Sequence, residues 1–330
     1  MLLQAAAGVL AFVFALVAGA VWYSIVFPRQ PFKDPLPDLD SDTETLARRL
    51  NAHITSVASV PHNLGHYPAL EAAAVYIENT LAGFGLAPSA QIFTVAGRPV
   101  RNIEVVWEPR GATPATPTLV IGAHYDSPDD APGANDNGTG VAAALELARS
   151  LAQLKPLSHR LRLAFWVNEE QPYGKTPDMG SWQHAKALKD RGENIEGMIA
   201  LETIGFFSDE PGSQEFPPPF GLIYPNAGNF IAFVGLPGSR AFLHRALATF
   251  RAHAQFPSIG GVAPGFLEGI DLSDHWAFHH FGFPAMMVTD TAPFRNPYYH
   301  ELDDVPENVD YENLARVTRG LEKMLREMVT

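Results

Sequence analysis

The chain contains no cysteine. Disulfides and thiolate-bound metals are therefore excluded, and any metal must rest on His, Asp and Glu. Positive charge is scarce. The 23 Lys and Arg stand against 36 Asp and Glu, for a net charge of −13. That balance argues against a nucleic-acid partner and against binding anionic lipid through a basic face. Internal repeats are lacking too. Charged residues make up 18% of the chain and hydrophobic ones 46%, which rules out a disordered polypeptide. With 330 residues, the chain can bury a full core without cross-links.

Charge is missing altogether from residues 1–28. The apolar run Ala5 to Phe27 spans roughly 35 Å as a helix, at ~1.5 Å per residue, which is enough for a bilayer. Trp22 and Tyr23 suit the interface. We expect residues 1–27 to be a transmembrane anchor, with the lipid bilayer as partner. A cleaved signal segment is the competing reading. Ala18-Gly19-Ala20 has the small-residue spacing of a cleavage site, but the basic stretch that should precede it is missing. Arg29 and Lys33 vote for a cytoplasmic side after the helix. Two charges decide little, and the catalytic domain is expected to be extracytoplasmic. Residues 28–45 read as a Pro-rich, acidic, stiff linker, and residues 46–330 as one domain.

Within that domain, helical and strand periodicities alternate. The pattern predicts an α/β fold with a mostly parallel central sheet and helices on both faces. "PTLVIGAHYD" reads as a buried strand. In such sheets ligands bind at the carboxyl ends of strands. His124 and Asp126 close this strand, within "AHYDSPDDAPGANDNGTG". Glu169 and Glu170 close the next, "FWVNEE", and Glu202 closes "ALETIG". His300 lies in "YYHELDD", after the last strand. Each residue alone has an ordinary explanation. Asp136 can cap the helix that follows it, and a Glu pair can be a solvated strand end. Their recurrence at corresponding strand ends points to a divalent metal such as zinc. Glu169 and Glu170 are adjacent, so both can reach one site only if the strand has already ended.

The motifs "AHYDS", "PGANDNGTGVAAALELAR", "NEE" with "MGS", "LETIG", "SDHWAF" and "YYHELDD" together resemble the co-catalytic di-zinc aminopeptidases of peptidase family M28. That family shares its fold with the glutaminyl cyclases. The likeness runs from Leu46 to the C-terminus. It implies a zinc aminopeptidase acting on peptides with a free N-terminus, with two zinc ions per chain, which the expected anchor would hold at a membrane. His124 and Glu202 would hold one ion, Glu170 and His300 the other, and Asp136 would bridge them. Glu169 would be the general base for a hydroxide generated at the metals. Asp126 and Asp304 would orient His124 and His300. Glu202 departs from the pattern, since many members carry Asp there. His275 matches a motif near the pocket but is not taken as a ligand. His279 and His280 read as surface or packing residues. The Pro- and aromatic-rich loop 208–229, with Phe206 and Phe207 before it, is expected to shape an apolar pocket for the first side chain. Phe206, Tyr298 and Tyr299 are its candidate lining. Two other readings stay open: a glutaminyl-peptide cyclotransferase with one zinc, and a non-catalytic binding ectodomain of the same fold.

Overall fold

Seven consecutive residues, Thr118–His124, are buried without exception and form strand β3. A strand covered on both faces needs no polar alternation, which explains the continuous apolar run. The computed structural model describes residues 2–330 except Pro156 and Pro219, and the side chains of residues 2–11, 13 and 17 lie outside the description.

Before β3 come helices α1 (Leu2–Ile25), α2 (Ser41–Val57) and α3 (Tyr67–Gly83), then strands β1 (Ser89–Val95) and β2 (Arg98–Trp107). After it come α4 (Gly140–Leu151), β4 (Arg160–Trp166), α5 (Gly180–Asp190), β5 (Ile195–Glu202), β6 (Ile231–Gly235) and α6 (Arg240–His253). The chain closes with β7 (Ser258–Val262), α7 (His275–His280), β8 (Ala285–Thr289) and α8 (Tyr311–Val329). The eight strands form one sheet in the order β1-β2-β4-β3-β5-β8-β6-β7.

The central strands β4, β3, β5 and β8 run parallel. The flanks depart from the predicted pattern: β1–β2, β2–β4 and β6–β8 are antiparallel, so the sheet is mixed. On the β1 side the reason is local. Ala96 and Gly97 join β1 to β2 with φ of 49° and 77°, the doubly left-handed turn that favours a tight hairpin. Strand β7, "SIGGV", gives no strand signal in the sequence because its two glycines hide the periodicity.

Alternate residues of β3 feed two cores. Leu119, Ile121 and Ala123 join the larger cluster, with α2, α3, α4, α6 and α8. Val120 joins the smaller one, with Trp166, Ala185, Leu188 and Phe278. The chain leaves β3 through α4 on one face and returns from β4 to β5 through α5 on the other. The strand order therefore reverses at the carboxyl end of β3, where a crevice forms.

The predicted membrane span coincides with α1, a 24-residue helix, but half of it rests on side chains outside the described residues. Among the described residues, no helix is long and apolar enough to cross a membrane. The C-terminal end of α1 packs on β7.

Gly122 of β3 pairs with Ala164 of β4. A Cβ there would lie 2.0 Å from the Ala164 carbonyl oxygen and 2.8 Å from the Trp166 ring. The obstacle is backbone, so it cannot rotate away. Gly122→Ala should destabilise the fold by about 1–3 kcal/mol. A chemical denaturation midpoint equal to wild type would contradict this account of the packing.

Candidate metal centre

The carboxyl ends of β3, β4 and β5 bring the acidic residues together. His124, the last residue of β3, is fully buried. Its Nδ1 lies 3.1 Å from the backbone carbonyl of Asp126. That contact fixes Nδ1 as the protonated nitrogen and leaves Nε2 free. Nε2 faces Asp136 Oδ1 at 3.4 Å and Glu202 Oε2 at 3.3 Å. The other oxygen of Asp136, Oδ2, lies 3.1 Å from His300 Nε2. Glu170 Oε2 stands 3.7 Å from the same imidazole. One carboxylate thus faces a different imidazole with each oxygen.

Backbone geometry holds this arrangement. Strand β4 ends at Trp166, and Asn168 turns the chain with φ 61°. Asp126 then accepts the backbone N–H groups of Glu169 and Glu170 at 3.1 and 3.2 Å, one on each oxygen. His300 itself sits at φ 61°, and Thr203, next to Glu202, at φ 45°. Left-handed backbone is costly for a β-branched residue, and such strain gathers where side-chain direction matters. The Thr203 N–H is held by Asn137 Oδ1 at 3.2 Å.

Asp304 acts elsewhere than the sequence suggests. Its carboxylate accepts the N–H groups of Asn135 and Asp136, at 2.8 and 3.0 Å. Among the described residues no hydrogen bond joins it to His300. It therefore fixes the Asp136 loop rather than an imidazole. His300 is instead steadied by Tyr299, whose ring stacks on it with centroids 3.9 Å apart. Phe206 and Tyr298 pack edge-to-face on each other, and Phe207 packs on Phe256.

Sequence reasoning passes over several residues that build the site. Asn137 ties its loop to β5 by donating to the Leu201 carbonyl at 2.7 Å. Asn135 donates to Asp290 at 3.0 Å and accepts from the Gly205 N–H at 2.9 Å. Ser273 Oγ donates to Glu202 Oε2 at 2.8 Å. Asp290 follows β8 in "MMVTD", so the strand-end pattern was available to find it. His275 is buried and bonds the Ile270 carbonyl, away from the acidic cluster.

The cluster fits a divalent cation. His124, Asp136 and Glu170 each offer one ligand atom, all within 4.8 Å of one another. His124 Nε2, Asp136 Oδ1 and Glu170 Oε1 are buried without a hydrogen-bond partner. Buried polar atoms of this kind are ordinarily satisfied, so three at one point ask for a positive ligand.

Two pockets flank the cluster. One is almost wholly apolar, with a volume of about 90 Å³, and reaches from Glu202 and Tyr299 to Phe216, Phe220, Tyr224 and Met287. The loop 208–229 contributes to it, as does Tyr299, while Phe206 and Tyr298 are not among its lining residues. The other is a polar basin of about 750 Å³ beside Asp126 and Glu170, with His66 and Arg98 in its wall.

The family model described as peptidase family M28 matches residues 102–325. The chain belongs to peptidase family M28. YfbL of Escherichia coli (strain K12), a protein named as uncharacterized, is 32% identical over 305 residues, covering 90% of this chain and 92% of its own. A probable zinc metalloprotease of Leptosphaeria maculans is 29% identical, over 66% of this chain and 55% of its own. A probable leucine aminopeptidase of Arthroderma otae is 30% identical, over 62% and 52%. The chain thus spans about half the length of these two fungal relatives. Among solved structures, a zinc aminopeptidase from Bacillus subtilis superposes with a TM-score of 0.67 at 16% identity, covering 86% of this chain and 95% of its own. A glutaminyl cyclase from Porphyromonas gingivalis gives 0.64 at 20% identity, over 89% and 100%. These two likenesses concern the fold.

Crowding sets the titration of this M28 site. Burial pushes the Glu169 carboxyl up to about 8, and Glu202, Asp126 and Asp136 add to the shift. Burial and Asp136 take Glu202 to about 7. Glu170 moves well upward through burial and its neighbours Asp136 and Glu169. Burial opposes the charged form of His124, but Glu202, Asp126 and Asp136 outweigh it and hold the imidazole well above its usual range. Asp136 moves down instead, because His124 and His300 overcome its burial.

These shifts fix a sign. A carboxyl raised from 4.5 to about 8 stabilises the fold fully below its unfolded value, and the contribution fades as pH climbs through about 8. The lowered Asp136 contributes a constant amount in that window. Chelator-treated protein should therefore lose thermal stability between pH 5 and pH 8, and Glu169→Gln should flatten the slope. A divalent cation should stabilise more at pH 8 than at pH 5 and should release protons on binding, read by calorimetry in buffers of different ionisation enthalpy. A pH-independent gain, with no proton release, would contradict the crowding account.

Proposed function

We propose that this M28 peptidase is a zinc-dependent aminopeptidase using two ions, with a preference for apolar N-terminal residues. The observation that carries the reading is the double aspect of Asp136, with one oxygen toward His124 and the other toward His300. A single-zinc site has no need of a carboxylate aimed in two directions. His124 and Glu202 would hold one ion, Glu170 and His300 the other, and Asp136 both. Zinc bound there supplies a Lewis acid and brings the pKa of a coordinated water toward neutrality.

The remaining steps belong to the chain. Glu169 takes the proton of the attacking water and passes it to the departing amine. Its backbone N–H, held by Asp126 Oδ1 at 3.1 Å, fixes it beside the cluster. Burial and the nearby carboxylates also push the Tyr299 phenol up, so it stays protonated. Placed where the apolar pocket meets the cluster, it can donate to the oxygen that gains charge in the tetrahedral state. The apolar pocket takes the first side chain, and the polar basin takes the following residues. We also infer that the uncharged N-terminal run, ahead of the docked residues 23–27, anchors the chain in a bilayer. The full-length protein should then stay in the membrane pellet after an alkaline carbonate wash, and release into the supernatant would sink the anchor.

Metal content and turnover of aminoacyl-anilides should be measured beside cyclisation of an N-terminal Gln peptide. The expected result is two zinc ions, anilide hydrolysis and no cyclisation. A plateau at one ion with cyclisation would replace this reading by cyclase chemistry. Glu169→Gln should slow hydrolysis by roughly 10²–10⁴-fold while leaving zinc affinity intact. Asp136→Asn should weaken the binding of both ions. If excess zinc restored Glu169→Gln, that residue would be a ligand and not the base.

A further inference from the structure

The apolar pocket has a wall that does not come from the matched region 102–325. Ser24, in the last turn of α1, lines it together with Phe216, Phe220, Tyr224 and Ile259. The segment carrying Ser24 is fastened to the domain. Arg240 Nε donates to the Tyr23 carbonyl at 2.7 Å, and its Nη2 donates to the Val26 carbonyl at 3.0 Å. The last turn of α1 has no basic residue of its own. Arg240 therefore provides, from another helix, the cation and donors that a helix C-terminus needs. Its guanidinium also lies over the Tyr23 and Phe27 rings, at 4.4 and 5.4 Å from the centroids.

A second arginine holds the next residues. Arg251 Nη1 donates to the Pro28 and Arg29 carbonyls at 3.1 and 3.0 Å. Its other nitrogens bind Ser258 at the start of β7. Between the two arginines, Phe27 presses on Gly260 of β7, where a Cβ would come within 2.8 Å of the ring. The neighbouring Gly260 carbonyl accepts the Tyr224 hydroxyl at 2.7 Å, so the same strand supports an opposite wall of the pocket.

We propose that Ser24, held in place by the fastening of residues 23–29, is a fixed wall of the apolar pocket and sets the size of the first side chain admitted. This rests on the reading of the cavity as the place of that side chain. The N-terminal helix then acts in specificity as well as attachment.

The test uses the full-length, zinc-loaded protein. Ser24→Trp fills the pocket from the helix side. The kcat/KM for leucyl- and phenylalanyl-anilides, taken relative to that for alanyl-anilide, should fall at least tenfold, through KM. Calorimetry should show the same loss for L-leucine binding. A second arm needs no turnover. Arg240→Ala with Arg251→Ala should speed tryptic cleavage after Arg29 at least tenfold, because the carbonyl of that peptide bond is no longer held. An unchanged leucine-to-alanine ratio in Ser24→Trp overturns the size-limiting role. Equal cleavage rates overturn the fixed wall. If wild type hydrolyses no anilide at all, the aminopeptidase reading fails and the specificity role of Ser24 falls with it, while the cleavage arm still judges the wall.

Discussion

The site is governed by the repulsion among carboxylates confined at the carboxyl ends of three parallel strands. Glu170, Glu202 and Asp136 are buried within reach of one another, with Glu169 beside them. Water cannot screen charges placed this way, and protons relieve them only in part. The polar architecture around the site follows from that constraint. Asp126 and Asp304 spend their own charge on backbone N–H groups. Asn135 and Asn137, which carry none, fasten the Asp136 loop without adding to the load.

The same constraint explains why so much of the site was legible. Imidazole and carboxylate side chains ending several predicted strands have few structural uses, so His124, Glu169, Glu170 and Glu202 stood out by position, and Asp136 by its place in a tight loop before a helix. The helices were readable for a different reason. Helix α8 is amphipathic along its length, and Asp310 caps it by accepting the Asn313 N–H at 3.0 Å. What escaped depends on contacts distant in sequence. Asn135, Asn137 and Ser273 carry no charge, and their partners lie 64 or more residues away. The role of Asp304 could not be separated from an imidazole partner, because the loop it holds is set by long-range closure. Strand β7 was hidden by Gly260, whose missing side chain makes room for Phe27 and Leu247.

The acidic cluster and the apolar pocket draw on different parts of the chain. The strand ends that form the cluster all fall within the region shared with the family. The apolar pocket draws on the loop 208–229, on Tyr299 and on the end of α1. Loops and termini vary more freely than strands. The part of the wall drawn from them can vary apart from the acidic cluster, while Glu202, Ala232, Val234 and Met287 tie the rest of the pocket to the sheet.

The docking of α1 on β7 also bears on association between molecules. β7 is the last strand of the sheet, and an uncovered edge offers unpaired N–H and C=O groups to any neighbouring chain. Arg251 and Tyr224 occupy the Ser258 and Gly260 carbonyls of that strand, and Phe27 packs on Gly260. The opposite edge, β1, has Ile92 70% exposed. Losing the N-terminal segment would uncover β7 where α1 and Phe27 pack, and a chain bared at both ends of its sheet can join neighbours on either side into an extended assembly.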